Sequence, residues 1–164
     1  MKNCYKYTLL PVCVLFAVAA CTPDTECRTE ETVHCGVVFQ CDSTVTTSDT
    51  TYSVTFNTID SLTLTGVDND SVLYDNQKSV TAIALPLRKN AEETRFNLTV
   101  NGRQDVLVVR HRNRDYFISL ACGCFVYHDI DTAYTEGKLV KDTEILNTAV
   151  ENTQQDNIRL YIHL

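Results

Sequence analysis

Two cysteines flank a glycine in the stretch SLACGCFVYHD, residues 119–129, and a Tyr-His-Asp run follows them. Thiolates and imidazoles bind zinc, and thiolates also act as redox centres and nucleophiles. In an exported protein the same cysteines form structural disulfide bonds instead. The chemistry of this stretch therefore depends on the compartment in which the chain folds.

The N-terminus has the pattern of a secretory signal peptide over residues 1–20. Lys2 and Lys6 supply positive charge, and residues 8–20 form an apolar run of 13 residues, which is shorter than the ~20 residues needed to cross a hydrocarbon core. The run ends in the sequence VAAC at Cys21, which resembles the lipobox of bacterial lipoproteins. That resemblance implies that Cys21 becomes the first mature residue and carries several acyl chains, which anchor stably where one chain is marginal. The alternative is an ordinary cleaved signal followed by a chance cysteine.

Cleavage after residue 20 leaves 144 residues with 12 basic and 21 acidic side chains, a formal charge of −9. This length suits one domain. An acidic chain lacks the basic footprint of a general nucleic-acid-binding protein and is repelled by anionic lipid, so we expect attachment to the membrane through the lipid and no nucleic-acid partner. Thr22 stands where lipoproteins of this type carry an aspartate when the inner membrane retains them. The resemblance therefore implies an outer-membrane location in the cell envelope, with the periplasmic or surface face left open.

Period-two alternation of apolar and polar residues predicts strands along most of the chain. It is clearest at residues 52–56, 95–100 and 157–164, where each strand would bury one face. Asn101-Gly102 predicts a hairpin turn, and RNRD at residues 112–115 predicts the next turn, so residues 94–127 are interpreted as a three-strand meander. Residues 115–127 are apolar on both faces, which is typical of a central strand.

Residues 21–32 are polar and acidic, and we interpret them as a tether between the lipid and a domain at residues 33–164. Residues 139–153 fit either a helical face or short strands, and we favour strand and loop. Seven or eight short strands predict an all-β fold, an immunoglobulin-like or transthyretin-like β-sandwich.

The order of several short features resembles a family of Bacteroidetes lipoproteins known as a domain of unknown function. The features are DTEC near residue 27, GVVFQCD, LPL at residues 85–87, RFNLTV, DYFISLACGCF and the final DNIRLYIHL. The resemblance covers most of residues 21–164 and implies a disulfide between Cys27 and Cys122. It supplies a location and an architecture, and no known activity.

Five cysteines remain after signal removal and lipidation, namely Cys27, Cys35, Cys41, Cys122 and Cys124. Five is an odd number, so at most two bridges form and one thiol is left. Cys35 and Cys41 lie ~20 Å apart on one straight strand, whereas a disulfide needs Cα atoms within about 7 Å. With Cys27 joined to Cys122, we expect Cys35 or Cys41 to join Cys124.

Three chemical alternatives exist for the cysteines. A zinc site would use Cys122, Cys124 and His128, but the C-x-C spacing is tighter than the usual pairs and a second pair is missing. A thioredoxin-type centre needs C-x-x-C at the start of a helix. The spacing here is C-x-C, within a strand pattern. A nucleophilic thiol must be exposed, whereas Cys122 would share a strand face with apolar residues. We therefore expect no metal and no cofactor.

Charged clusters give two further candidates. Asp129, Asp131 and Glu136 fail the EF-hand spacing and predict a solvated acidic loop. Basic residues around the predicted turns could contact phosphate or carboxylate groups of envelope glycans, or form cross-strand pairs with Asp105 and Asp115. These basic residues are Arg103, Arg110, His111, Arg112 and Arg114, of which the four arginines are the candidate contacts.

Sequence patterns thus favour a lipid-anchored, non-enzymatic binding or assembly module of the cell envelope. Motifs of serine hydrolases, zincins, P-loops and dinucleotide-binding folds are missing from the sequence. The alternatives are a periplasmic thiol/disulfide enzyme using Cys122 and Cys124, and an envelope glycan binder. The expected partners are the membrane, through the lipid, and an envelope protein or glycan.

Overall fold

Alternating side chains form strands through all parts of the chain that the structure describes. The structure is a computed structural model that describes residues 33–68, 71–119 and 123–164, and none of these residues forms a helix long and apolar enough to cross a membrane. Eleven strands lie within these ranges. They are β1 (His34–Thr46), β2 (Thr51–Phe56), β3 (Leu62–Gly66), β4 (Val72–Gln77), β5 (Ala82–Pro86), β6 (Glu93–Val100), β7 (Arg103–Ser119), β8 (Gly123–Thr135), β9 (Val140–Ile145), β10 (Ala149–Val150) and β11 (Asp156–His163).

The strands form two sheets that pack as a β-sandwich, which confirms the predicted all-β fold. One sheet has the order β2-β1-β11-β9, with β5 also paired to β1, and the other has the order β10-β8-β7-β6-β3-β4. The described residues hold eleven strands, more than the predicted seven or eight. Strands β9 and β10 lie in residues 139–153, which confirms the prediction of strand and loop there.

The core is built by the inner faces of both sheets. Strand β1 pairs with β11 in parallel, so that Val37 lies beside Ile158 and Phe39 beside Leu160. All four are buried, and Leu98 of β6 packs in the same cluster from the facing sheet. Each fully buried side chain of this size stabilises the fold by roughly 1.5–3 kcal/mol relative to an exposed position.

The hairpin predicted at Asn101-Gly102 is confirmed. Both residues have positive φ, 49° and 78°, which is the backbone of a type I′ turn. Val100 and Arg103 pair directly across it, which sets the register of β6 against β7.

Two predictions around residues 112–127 are wrong. RNRD at 112–115 is not a turn, because β7 continues through it to Ser119. Residues 115–127 do not form a central strand, because the chain reverses between Ser119 and Gly123, where Gly123 has a φ of 74°. Cys124 then pairs with Phe117 on a hairpin and is exposed, so it does not point into the core as predicted.

The predicted acidic loop is also wrong. Asp129 and Asp131 lie within β8, and Glu136 directly follows that strand. The pairing of β7 with β8 shifts at this point, since Arg110 lies opposite Thr132 but His111 lies opposite Ile130. This β-bulge leaves Asp131 without a paired residue and reverses which side chains of β8 face inwards.

Several predictions fall on residues outside the described ranges. These are the signal peptide at 1–20, the tether at 21–32 with Cys21 and Cys27, and Cys122.

Candidate functional site

The longest hairpin of the fold positions most of the residues that the sequence singled out. Strand β7 pairs with β6 only as far as Arg110, and β8 pairs with β10 only at His128 and Asp129. In the described ranges, residues 112–119 and 123–127 therefore form a two-stranded ribbon, called here the hairpin extension. An isolated two-stranded ribbon is marginally stable, so contacts at its base must hold it.

A buried polar network lies at that base and is centred on Asn113. The amide nitrogen of Asn113 lies 3.2, 2.9 and 2.8 Å from the carbonyl oxygens of Arg88, Lys89 and Ala91. Because a nitrogen facing carbonyls must donate, the orientation of this amide is fixed. Its Oδ1 is therefore an acceptor pointing into the protein.

Two histidines share that acceptor. His128 Nδ1 lies 2.7 Å from Asn113 Oδ1, and His111 Nδ1 lies 3.0 Å from it. Both rings must therefore carry their proton on Nδ1. His111 Nε2 is then an acceptor for the hydroxyl of Thr94 at 2.9 Å, and the same hydroxyl accepts the backbone N–H of Arg88, also at 2.9 Å.

Burial disfavours the charged form of both histidines. Burial lowers the pKa of His128 to about 4, helped by the positive charges that His111 and Lys89 would bring and opposed by Asp129. Burial also lowers the pKa of His111, against its hydrogen bond to Asn113 and the charges of Asp131 and Glu92. The ring centroids are 4.9 Å apart in an edge-to-face arrangement. A positive charge on one ring therefore disfavours a positive charge on the other.

The network joins three segments that are distant in sequence. It binds the connection between β5 and β6 to both strands of the long hairpin. Among the described residues, no buried side-chain nitrogen or oxygen lacks a partner, which is the condition under which a buried polar network rigidifies a fold. The histidines therefore act here as hydrogen-bonding groups that orient the hairpin extension.

The predicted basic cluster is divided between two ends of the sandwich. Arg110, Arg112 and Arg114 alternate along β7 and form ion pairs with Glu93 at 3.0 Å, Asp131 at 3.1 Å, and both Asp129 and Glu151 at 3.4 and 3.3 Å. These pairs are exposed, where solvent screening leaves each with little effect on stability. Arg103 lies at the other end of β7 and donates to the carbonyl of His163 at 2.9 Å. The structure therefore does not bring the four arginines together.

Asp105 does not pair with an arginine as expected. Its buried carboxylate accepts the backbone N–H groups of Val106, Gly137, Leu139 and Val140, at 2.6–3.1 Å. A carboxylate that accepts several N–H groups is well compensated for its burial. It fixes the connection from β8 to β9.

The described cysteines are free thiols in two environments. Cys35 and Cys41 are fully buried on the inner face of β1. Burial raises the pKa of Cys35 to about 12 and, with Asp42 and Asp60, that of Cys41 to about 11. Both are thus packed as small apolar side chains with little thiolate. Cys124 is exposed near the end of the hairpin, and the expected bridge from it to Cys35 or Cys41 is not formed.

The zinc alternative gains no support from this arrangement. His128 is buried and hydrogen-bonded to Asn113, whereas Cys124 is exposed, and Cys122 is outside the described ranges. No group of three or more His, Cys, Asp or Glu side chains in the described ranges is placed to hold a metal ion.

An exposed aromatic surface ends the hairpin extension, and sequence reasoning missed it. Phe117 is 60% exposed and Tyr116 is 51% exposed. The Tyr116 ring stacks on Tyr127 across the two strands, with centroids 5.1 Å apart. An isolated glycine in a strand pattern indicates a bulge or turn, so Gly123 was the available signal for this reversal.

The chain belongs to a family of unknown function, DUF6452, whose model matches residues 61–162. The matched region includes the polar network, the hairpin extension and the final strand, and it begins after β1 and β2. No curated protein and no solved structure matches the chain.

Proposed function

We propose that this protein is an exported lipoprotein of the bacterial cell envelope, of the type found in Bacteroidetes, anchored by lipid on Cys21. The carrying observation is the N-terminal sequence, in which a charged start and an apolar run of 13 residues lead to VAAC. The mature chain would be held at the outer membrane, and its β-sandwich would act as a non-enzymatic binding or assembly module.

Two features of the fold support a binding role. The thiols of Cys35 and Cys41 are buried with raised pKa values, so they are poor nucleophiles. The polar network around Asn113 leaves no buried side-chain nitrogen or oxygen of the described residues without a partner and orients a hairpin that carries the exposed side chains of Tyr116 and Phe117. A rigid scaffold that presents one exposed element is the usual arrangement of a binding module.

Lipidation is tested by mass spectrometry of the mature N-terminus. The expected N-terminal peptide begins at Cys21 and carries the mass of several acyl chains. A Cys21→Ser variant should lose the lipid and retain its signal, whereas a Cys27→Ser variant is the matched control and should be lipidated normally. An N-terminus at any other residue, or an unmodified Cys21, contradicts the anchor.

Cross-linking in intact cells tests the binding role. A photoreactive side chain placed at Phe117 should capture an envelope component reproducibly. The same group at Tyr52, which is similarly exposed on β2, is the control site. Equal background capture at both sites would contradict a specific binding role for the hairpin.

A thiol/disulfide enzyme using Cys122 and Cys124 is the second candidate, and the exposure of Cys124 favours it. Alkylation of the native, unreduced protein separates the two proposals. A redox-active dithiol requires both Cys122 and Cys124 to cycle between reduced and oxidised forms. If a Cys122→Ser, Cys124→Ser double variant shows the same thiol exchange rate as the wild type, this candidate is excluded.

A further inference from the structure

Strand β2 forms an edge of its sheet, and its side chains are exposed on both faces. Residues 51–55 are all exposed, and among the described residues β1 is the strand that pairs with β2. An edge strand presents a row of unpaired N–H and C=O groups, which is a template for a further strand. Native proteins usually block such edges with charged residues, proline, bulges or short strands.

The other four edge strands of the described fold are blocked in these ways. Strand β9 carries three charged side chains among its six residues, and β4 carries Asp75 and pairs irregularly with β3. Strand β10 has two residues. Strand β5 ends in Pro86, and the N–H of Ala84 donates to the hydroxyl of Tyr74 at 2.9 Å, so that β4 caps part of this edge.

Strand β2 has none of these protections. Its sequence TYSVTF contains no charged residue, proline or glycine, and it consists of residue types that favour strands. Asp49 is the one charged residue within residues 43–59, although 21% of the chain is charged. The pairing of β2 with β1 is regular over six residue pairs. The free edge of β2 is therefore regular, uncharged and open to another strand.

Apolar side chains on one face of β2 continue the core outwards. Phe56 lies opposite buried Cys41 and packs against the core. Val54 and Tyr52 follow on the same face at alternate positions, and they are 38% and 51% exposed. A strand that pairs with β2 would therefore form backbone hydrogen bonds and also cover part of this apolar stripe.

The sequence of β2 is suited to pairing with itself. When two copies pair antiparallel about a two-fold axis at Ser53, Ser53 lies opposite Ser53 of the other copy, and Tyr52 lies opposite Val54. Thr51 then lies opposite Thr55. Directly opposite residues share a face, and aromatic side chains beside β-branched ones are favourable cross-strand pairs. This register therefore joins the apolar stripes of the two copies in an isologous contact.

Like charges are kept apart in the same register. Asp49 of one copy would lie opposite Asn57 of the other, so the two Asp49 carboxylates would be eight residues, or ~26 Å of strand, apart. This is about three Debye lengths at physiological ionic strength. Asp42 lies opposite Thr55 on β1, one strand further from the axis.

We propose that two copies of this chain pair through antiparallel β2 strands, so that their sheets join into one continuous sheet. The occupant of the edge is a second copy because one register joins the two apolar stripes and also separates the Asp49 carboxylates. Strand addition to an exposed edge takes its affinity from main-chain hydrogen bonds and its specificity from alternate side chains. The inference goes beyond the proposed function and holds whether or not Cys21 carries lipid.

Disulfide trapping in the purified full chain tests the register. The background protein has Cys27, Cys122 and Cys124 replaced by serine and keeps the two buried cysteines of β1. Under mild oxidation a Ser53→Cys variant of this background should form a cross-linked dimer. The reason is that Cα atoms of directly opposite residues are ~4.5–5.5 Å apart, within the ~4.4–6.8 Å that a disulfide needs.

Two matched variants locate the pairing. Thr51→Cys alone should not cross-link, because its two copies would lie ~13 Å apart along the strands. Thr51→Cys combined with Thr55→Cys should cross-link, because these positions lie opposite each other. Circular dichroism verifies that each variant folds. Equal cross-linking of Ser53→Cys, Thr51→Cys and the unsubstituted background overturns the inference, as does the absence of any Ser53→Cys dimer.

Sedimentation in reducing buffer tests the association without a cross-link. The wild type should show a monomer–dimer equilibrium, and Val54→Lys should raise the dimer dissociation constant at least about tenfold by placing charge on the edge. Val72→Lys is the control, since Val72 is 60% exposed on the β4 edge, and it should leave the constant unchanged. Tyr52→Lys replaces Val54→Lys if that variant does not fold. A wild type that is monomeric up to its solubility limit, or equal effects of the two lysines, overturns the inference.

Cross-linking in intact cells separates a second copy from another partner. The photoreactive group at Tyr52, the control position for the hairpin, should capture the chain itself, whereas the group at Phe117 should capture a different envelope component. Capture of another protein at Tyr52 in place of the chain itself overturns the inference in favour of strand addition by that protein.

Discussion

Protonation of the buried histidine pair should make the stability of this protein depend on pH. The pKa of His128 falls from an ordinary 6.5 to about 4 in the folded state. Between these values the unfolded chain binds a proton that the folded chain does not, so stability must fall as pH falls. The contribution of neutral, buried His128 to stability is fully present above pH 6.5 and is lost progressively down to pH 4.

The magnitude follows from the shift in pKa. A difference of one pKa unit corresponds to 1.36 kcal/mol, so His128 alone should remove about 3 kcal/mol of unfolding free energy between pH 7 and pH 4. His111 acts in the same direction, since burial lowers its pKa too. Against a typical total of 5–15 kcal/mol, this loss is large enough to measure.

Urea denaturation followed by circular dichroism at several pH values between 7 and 4 measures this loss. The matched variant is His128→Asn, whose side-chain amide donates to Asn113 Oδ1 as the Nδ1–H group does but does not titrate. The variant should show a shallower decline of stability with acidification than the wild type. If the unfolding free energies of both proteins decline in parallel with acidification, the protonation of His128 on unfolding does not cause the loss of stability. The reasoning from its buried hydrogen bonds is then refuted.

The remaining predictions concern a buried carboxylate, two glycines and two thiols. Asp105→Ala should lower the unfolding free energy by about 3 kcal/mol or more, because it leaves buried backbone N–H groups without an acceptor; an unchanged urea midpoint would contradict this. Gly137→Ala should cost about 1–3 kcal/mol, since its Cβ would lie 2.5 Å from Asp105 Oδ1, and the loss should disappear in the Asp105→Ala background. Gly102→Ala should cost about 1–2 kcal/mol through its positive φ alone, because no atom lies within 4 Å of the added Cβ; a stabilised variant in thermal melts would argue against the type I′ turn. In reducing buffer, Cys124 should react with maleimide in the native protein and Cys35 only on unfolding, as peptide mapping would show; equal labelling rates would contradict the burial of Cys35.

Local sequence patterns predicted those strands in which one face meets the core and the other meets water. Residues 95–100 and 157–164 alternate in chemical type because their environments alternate, and the structure has strands β6 and β11 there. Asn101-Gly102 set a turn because few other residue pairs adopt two positive φ angles. These features are encoded within a few neighbouring residues.

The hairpin extension was missed because its environment departs from that rule. Residues 116–127 look buried by composition, yet Phe117 is exposed, at a point where β7 pairs with β8 and no longer with β6. The charges at 112–115 looked like a turn, although the arginines there alternate with Asn113, which faces inwards. A β-bulge at Asp131 then changes the inward phase of β8, which period-two counting cannot follow.

The polar network was beyond prediction for a different reason. Its members come from residues 88–94, 111–113 and 128, and only the tertiary fold brings them within hydrogen-bond distance. Each looks unremarkable in its own segment: a threonine in a strand, an asparagine between arginines, a histidine after a tyrosine. Sequence alone therefore gave the scaffold and left out the group that orients its projecting element.

The position of this network explains why a long ribbon can project in one direction. The apolar and aromatic side chains of residues 116–127 place few restrictions on register, and a slip of one residue would move every side chain to the other face. Such a slip would carry His128 away from Asn113 and leave buried donors and acceptors unpaired, at a cost of about 1–3 kcal/mol for each group. In the observed register all of them are paired. The buried polar groups thus select one register and one direction for the hairpin extension.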